Sequence, residues 1–328
     1  MTPVELSRTV LRAVRRAVDD GELTVAVPEL PERVVVTPPG PGGCGDYATN
    51  IALQLARPAG QPPLRVAEIL LPRLAECAGV EDVVVTGPGF LNISLSSATS
   101  PTATLVAEIR GLGDAYGHGD VLAGQVVALR VPYDVRAEVV ADAVVRIVAT
   151  QGGRGEVEHG EPVSLRPVPA PEDPAPLGAD AAQWALLHPA AHDRPRITAD
   201  HLVQRESNPL FRVRYAHARV RSVGRGAGRL GFGAVPGDVA DAPSGLVTAL
   251  ADYPRILTGA ATHRAPDRLA RHLVTVADAV LPFLPTVLPR GEEKPSVAHR
   301  ARLALAEATG TVLAGGLSLL GIDAPDHL

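Results

Sequence analysis

Two short stretches place side chains that could hold an unpaired nucleic-acid base. Asn208 to Val223 reads NPLFRVRYAHARVRSV. On a helix, Phe211 and Tyr215 stand one turn apart, and Arg212 and Arg219 lie two turns apart on one side. An aromatic ring can stack on a base and a guanidinium can take phosphate, an order that suits a single-stranded RNA loop; a core position is the alternative for both rings. The window Arg205 to Arg229 holds seven arginines and one acid, Glu206, so a polyanion would meet local positive charge in a chain whose net charge is −5. His217, beside Arg219, reads as a structural or RNA-contacting group. Far upstream, GPGFLNISL at 87–95 alternates Phe90, Asn92 and Ser94 with Leu91, Ile93 and Leu95. The apolar set belongs in a core. Phe90 and Asn92 then share the other face, where a ring can stack and an amide can read a base edge, or where the ring covers a neighbouring helix.

No comparable constellation for bond-making chemistry is legible. PGGCGDYATNIALQLA is glycine-rich but contains neither GxxxxGK[ST] nor GxGxxG. Gly42, Gly43 and Gly45 are expected to form a turn into a helix capped by Asp46. The ten histidines include no HExxH, no GxSxG elbow is present, and Cys44 and Cys77 form no CxxC. No catalytic residue, metal ligand or cofactor is assigned from the sequence.

These side chains need elements to hold them. Apolar spacing predicts helices at Pro3–Asp20, Tyr47–Ala56 and about Pro63–Ala78, with strands at Glu32–Thr37, Val80–Val85 and Phe90–Leu95. Gln125–Val131 and Arg136–Thr150 read as a strand and a helix without a further partner. Gln151 to Gly178 holds six prolines and five glycines and reads as a linker or irregular loop. Every later periodic segment is helical: Ala179–Leu187, Thr198–Arg205, Pro209–Val223, Val247–Leu257, Pro266–Phe283 and His299–Leu320. The fold class is therefore α+β: a small N-terminal α/β domain over 1–122, a residual strand-helix fragment over 123–153, a Pro/Gly-rich linker over 154–178 and an all-α bundle over 179–328.

A length of 328 residues with 46% hydrophobic side chains suffices for two domains with sizeable cores. The longest apolar stretch, Thr311 to Ile322, is too short for a bilayer span, and two cysteines suit a reducing cytoplasm. The near-absence of lysine, with Lys294 alone, fits a compositional bias towards arginine more than a functional choice.

GDYATNIALQLAR, VAEIL and GPGFLNISL, followed by NPLFRVRYAHARVRSV and ALAEATGTVLAGGLSLLGIDAPDHL, resemble arginyl-tRNA synthetases in the matching order. The first group is similar to that family's N-terminal additional domain and the second to its DALR-type anticodon-binding bundle. The resemblance implies that Phe90 and Asn92 meet the D-loop of a tRNA. It also implies that Phe211, Arg212, Tyr215, His217, Arg219 and Leu328 lie near the anticodon, although Arg212 and Arg214 depart from the family's usual aromatic and glutamine. Between the two groups, VVALRVPY is followed by Asp134-Val135-Arg136 where an HxGH-type element is expected, and Ser164-Leu165-Arg166-Pro167 stands where a KMSKS-type loop begins. On that ground the chain reads as a paralogue lacking most of the catalytic domain, without aminoacylation. The expected partner is tRNA or a tRNA-like RNA. The alternatives are a synthetase or other protein as partner or, more remotely, acyl transfer from charged tRNA or arginine; DNA and membranes are not expected partners.

Overall fold

The computed structural model describes the chain apart from residues 1–2, 26–29, 32, 41–42, 78, 96–99, 240 and 292. It divides into two compact units, Met1–Leu105 and Val106–Leu328. In the first, α1 (Pro3–Asp19), α2 (Ile51–Ala56) and α3 (Pro63–Ala75) accompany β1 (Val36–Thr37), β2 (Tyr47–Thr49), β3 (Val80–Thr86) and β4 (Phe90–Leu95). The strands form one antiparallel sheet in the order β1-β2-β4-β3. Leu6, Val10 and Val14 of α1, Val66 and Leu70 of α3, and Leu91 and Ile93 of β4 share its buried core. The burial of three large aliphatic side chains on one face of α1 supplies its reason to stay helical on the sheet.

One local expectation is corrected here. Tyr47–Ala56 is not a single helix: Tyr47 to Thr49 pair with Ile93 to Leu91 of β4, and α2 starts only at Ile51. Asp46 consequently does not cap a helix; its carboxylate accepts the Leu95 amide at 2.8 Å. Pairing to a buried central strand outweighs the helical spacing of Tyr47, Ile51 and Leu55. The expected Glu32–Thr37 strand contracts to Val36–Thr37, and Glu32 and Gly42 lie outside the described residues.

The second unit opens with a parallel pair, β5 (Val126–Val131) and β6 (Arg154–His159), joined through α5 (Val135–Ala149). The strand-helix fragment therefore has a partner, and the first residues of the expected linker form a strand. The sequence RGEVEH of β6 is too polar to announce it; α5 packs over it and Gly155 permits the approach, since a Cβ there would lie 2.7 Å from a Val145 methyl. Beyond Gly160 the proline-rich stretch is irregular up to a short 3-10 turn at Ala175–Leu177. In the segment between β5 and α5, Asp134 accepts the Ala137 amide at 3.0 Å as a helix cap.

The remaining helices are α6 (Ala179–Leu187), α7 (Pro209–Arg229), α8 (Ser244–His263), α9 (Pro266–Val280) and α10 (Val297–Leu319). The two units divide within α4 (Pro101–Leu112). The expected helix at Thr198–Arg205 is instead a single 3-10 turn, Ala199–Leu202. Asn208 ends that turn and starts α7: its side-chain oxygen accepts the Leu210 and Phe211 amides at 3.1 and 3.4 Å, while its amide donates to the His201 and Val203 carbonyls at 2.8 and 3.0 Å. Pro209 occupies the first helical turn, where its missing N–H costs nothing.

Candidate nucleic-acid interface

α7 buries Leu210, Val213, Ala216, Val220 and Val223 against the bundle, which turns Phe211, Tyr215 and Arg219 outward in steps of four residues. The Phe211 and Tyr215 rings stack with centroids 5.4 Å apart and planes 20° from parallel. Tyr215 is 37% exposed, so a further ring could add to that stack from solvent. Arg219 is exposed and has no carboxylate partner among the described residues. This stripe is an open aromatic platform followed, one turn on, by a free guanidinium.

Other expected contacts are differently placed. Arg212 is held by both oxygens of Asp278 at 2.8 and 2.9 Å, and Arg214 by Asp180 at 3.2 Å. Arg221 binds Asp326 at 2.7 Å, and Arg225 donates to the Asp326 carbonyl at 3.2 Å. The positive window read from the sequence is thus partly neutralised by acids from distant segments, which a linear count of charges omits. His217 is 5% exposed and its Nδ1 lies 3.0 Å from the Pro325 carbonyl oxygen. Burial lowers its pKa, with the Pro325 hydrogen bond opposing the shift. The ring is enclosed by the segment running back along α7. Leu328 is 53% exposed and borders a recess of about 280 Å³ with Phe211, Arg214, Asp180, Asn208 and His201. His201 reaches this wall because Asn208 fastens the 3-10 turn to the start of α7, and Asp180 of α6 because it pairs with Arg214; the sequence predicted helices around both residues but not that they meet α7.

In the first unit, Leu91, Ile93 and Leu95 enter the core as the alternation requires, and Phe90 is 40% exposed. Asn92 points to the opposite face but is only 2% exposed. Its amide donates to Thr86 Oγ1 at 2.6 Å and the Val84 carbonyl at 3.3 Å, and a Cβ at Gly43 would sit 2.8 Å from its oxygen. The loop before β2 therefore covers Asn92 and leaves Phe90 uncovered. Alternation assigns a side chain to a face of the sheet; it carries no information about a loop lying over that face.

Comparisons with known proteins follow the same division. Residues 5–95 match the arginyl tRNA synthetase N terminal domain and residues 213–328 the DALR anticodon binding domain. An arginine–tRNA ligase of Renibacterium salmoninarum is 46% identical over 127 residues, covering 39% of this chain and 23% of that ligase. The chain thus spans under a quarter of that relative's length. An arginine–tRNA ligase of Frankia alni is 24% identical over 555 residues, covering 100% of both proteins, whereas this chain has 328 residues. The solved arginyl-tRNA synthetase of Thermus thermophilus superposes with a TM-score of 0.61 at 16% identity and covers 100% of each chain, a likeness of fold.

These end-to-end matches overturn the expectation that the chain is not an enzyme, because the proteins it aligns with throughout are named ligases and synthetases. That expectation rested on two short missing motifs, HxGH and KMSKS. A motif records residues adjacent in sequence, whereas a catalytic site is assembled by the fold, so the missing patterns do not decide the chemistry. In chain order, the sequence thus carries a match to the arginyl tRNA synthetase N terminal domain and a match to the DALR anticodon binding domain, and it is similar along its length to an arginine–tRNA ligase.

Proposed function

We propose that the chain binds tRNA through the open face of α7, with Phe211 and Tyr215 stacking on an unpaired anticodon-loop base and Arg219 taking a neighbouring phosphate. The observation that carries this reading is the stacked Phe211–Tyr215 pair, with Tyr215 exposed, followed by an arginine with no carboxylate partner among the described residues, at the start of the stretch that matches the anticodon-binding domain. Stacking on aromatic side chains is tolerant of base identity, so the platform supplies affinity while the neighbouring recess favours one base shape. Arg212 and Arg214, tied to Asp278 and Asp180, position the helix and rim. The parallel β5-α5-β6 unit is read as what remains of a nucleotide-binding domain; its topology and the 328 residues set against a 555-residue alignment support that reading. The free thiols of Cys44 and Cys77 fit a cytoplasmic setting.

The test is a titration of purified tRNA by fluorescence anisotropy at several salt concentrations. Tyr215→Ala is expected to cost about 1–3 kcal/mol of binding, the worth of one stacked base. Arg219→Ala should weaken binding and lower the slope of log K against log salt by about 1. Wild-type protein that binds no tRNA even at low salt would sink the proposal.

A further inference from the structure

A positive face without ion pairs among the described residues lies in the first unit, on α1. With Leu6, Val10, Ala13, Val14 and Ala17 buried, Arg8, Arg12, Arg15 and Arg16 remain exposed on the opposite side. Their spacing, i, i+4, i+7 and i+8, sets them on one helix face over about 12 Å of its length. Among the described residues none of the four has a carboxylate partner; Arg12 donates only to Thr9 Oγ1, at 3.1 Å. Acids flank the stripe: Glu5 has an interaction of its own, Asp20 is held by Arg73 at 2.7 Å, and Asp19 and Glu76 lie near its C-terminal end without an ion pair to any of the four. The contrast with α7 is direct, because there Arg212, Arg214 and Arg221 each face an aspartate. Arg12 and Arg16 also line a recess of about 330 Å³ with Thr9, Arg73, Glu76 and Cys77, where Arg73 is already neutralised by Asp20 and Glu22.

We propose that this stripe binds the phosphate backbone of an RNA helix, as a contact site separate from the base-stacking face of α7; it rests on the reading of the chain as an RNA-binding protein. Charge complementarity selects the occupant. Guanidinium forks match phosphate oxygens in pairs, and four in a row can bridge several phosphates of one strand. The helix carries no aromatic residue, so it has nothing with which to stack an unpaired base, and its apolar side is spent on the core rather than available to a bilayer. The contact is accordingly indifferent to sequence and sensitive to salt.

Two quadruple variants of the full chain test it, with Arg8, Arg12, Arg15 and Arg16 replaced together by Gln or by Lys. Each is titrated with tRNA and with a blunt RNA duplex lacking loops, across a range of salt, and thermal melts report folding. The Gln variant, melting like wild type, is expected to lose duplex binding and to lower the salt slope for tRNA by roughly 3, while the Lys variant keeps most of both. Tyr215→Ala should weaken tRNA binding and leave duplex binding intact. An unchanged slope in the folded Gln variant overturns the proposal, and so does tighter binding of the wild type to phosphatidylserine vesicles than to the duplex. Loss of tRNA binding on α7 substitution with no effect on α1 sinks this proposal alone; duplex binding that depends on α1 and ignores α7 supports it while sinking the anticodon reading.

Discussion

Arg136 is fully buried and has no carboxylate in contact among the described residues. A guanidinium has five N–H donors, and here every one is used. Nε donates to the Leu186 carbonyl at 3.0 Å, Nη1 to those of Val168 and Asp193 at 2.6 and 2.7 Å, and Nη2 to those of Pro189 and Ala190 at 3.1 and 2.9 Å. Burial lowers its proton affinity, opposed by the nearby charges of Asp134 and Asp193. One side chain at the start of α5 thereby fastens the turn after α6 and part of the proline-rich stretch. Arg136→Met should leave four carbonyls without donors, because that of Ala190 also accepts the Asp193 amide at 2.9 Å, and destabilise the fold by on the order of 3 kcal/mol or more. Urea unfolding of the full chain measures this, and a midpoint equal to wild type would refute the clasp.

α7 reaches Arg229, well past the expected end at Val223, because Ala227 is buried and the glycines around it do not interrupt its hydrogen bonding. Its orientation depends on α10, which runs close to both α7 and α9. A Cβ at Gly316 would lie 2.5 Å from a Leu273 methyl, and one at Gly310 would lie 2.9 Å from a Val220 methyl. A helix with larger residues at these points would be held off its neighbours. Gly316→Val is therefore expected to destabilise by about 1–3 kcal/mol through overpacking. If it also tilts α7, tRNA affinity falls although no contacting residue is altered; equal stability of Gly316→Val and wild type in urea would show that the crossing yields instead.

Across the second unit, three histidines are kept neutral by burial. His188, stacked on Trp184 with ring centroids 5.0 Å apart, has its pKa pushed down to about 4 by desolvation, with Arg271, His201 and Arg212 adding to the shift. His217 and His272 are shifted in the same direction, again chiefly by burial. In the unfolded chain such groups take up protons near 6.5. Between that value and about 4 the unfolded state binds more protons than the native state at His188, so stability falls as pH falls through this window and levels off for this group below it. Asp326 acts lower: its salt bridge to Arg221 depresses its pKa, so its contribution is lost only as pH drops through its folded value. Urea midpoints measured from pH 7.5 to 4 should decline, and His188→Phe should flatten the decline while retaining the stack on Trp184. A slope identical to wild type in that variant would remove His188 from the account.

The sequence by itself determined the fold class, the core side of α1 and β4, and the start of α7 at Asn208-Pro209, because period, capping and ring placement are local properties of the chain. It also carried the order of segments by which the family can be recognised. What only the tertiary structure decided was which polar groups remain available. Arg212, Arg214 and Arg221 meet acids 34 to 105 residues away in sequence, as in the pairs Arg214–Asp180 and Arg221–Asp326. Asn92 vanishes under a loop, His217 is enclosed, and a polar segment becomes β6 because β5 and α5 offer it a place. Meanwhile Arg8, Arg12, Arg15 and Arg16 of α1, unremarkable in a linear reading, have no carboxylate partner among the described residues. Charge compensation and burial depend on distances through space, and those exist only once the chain has folded.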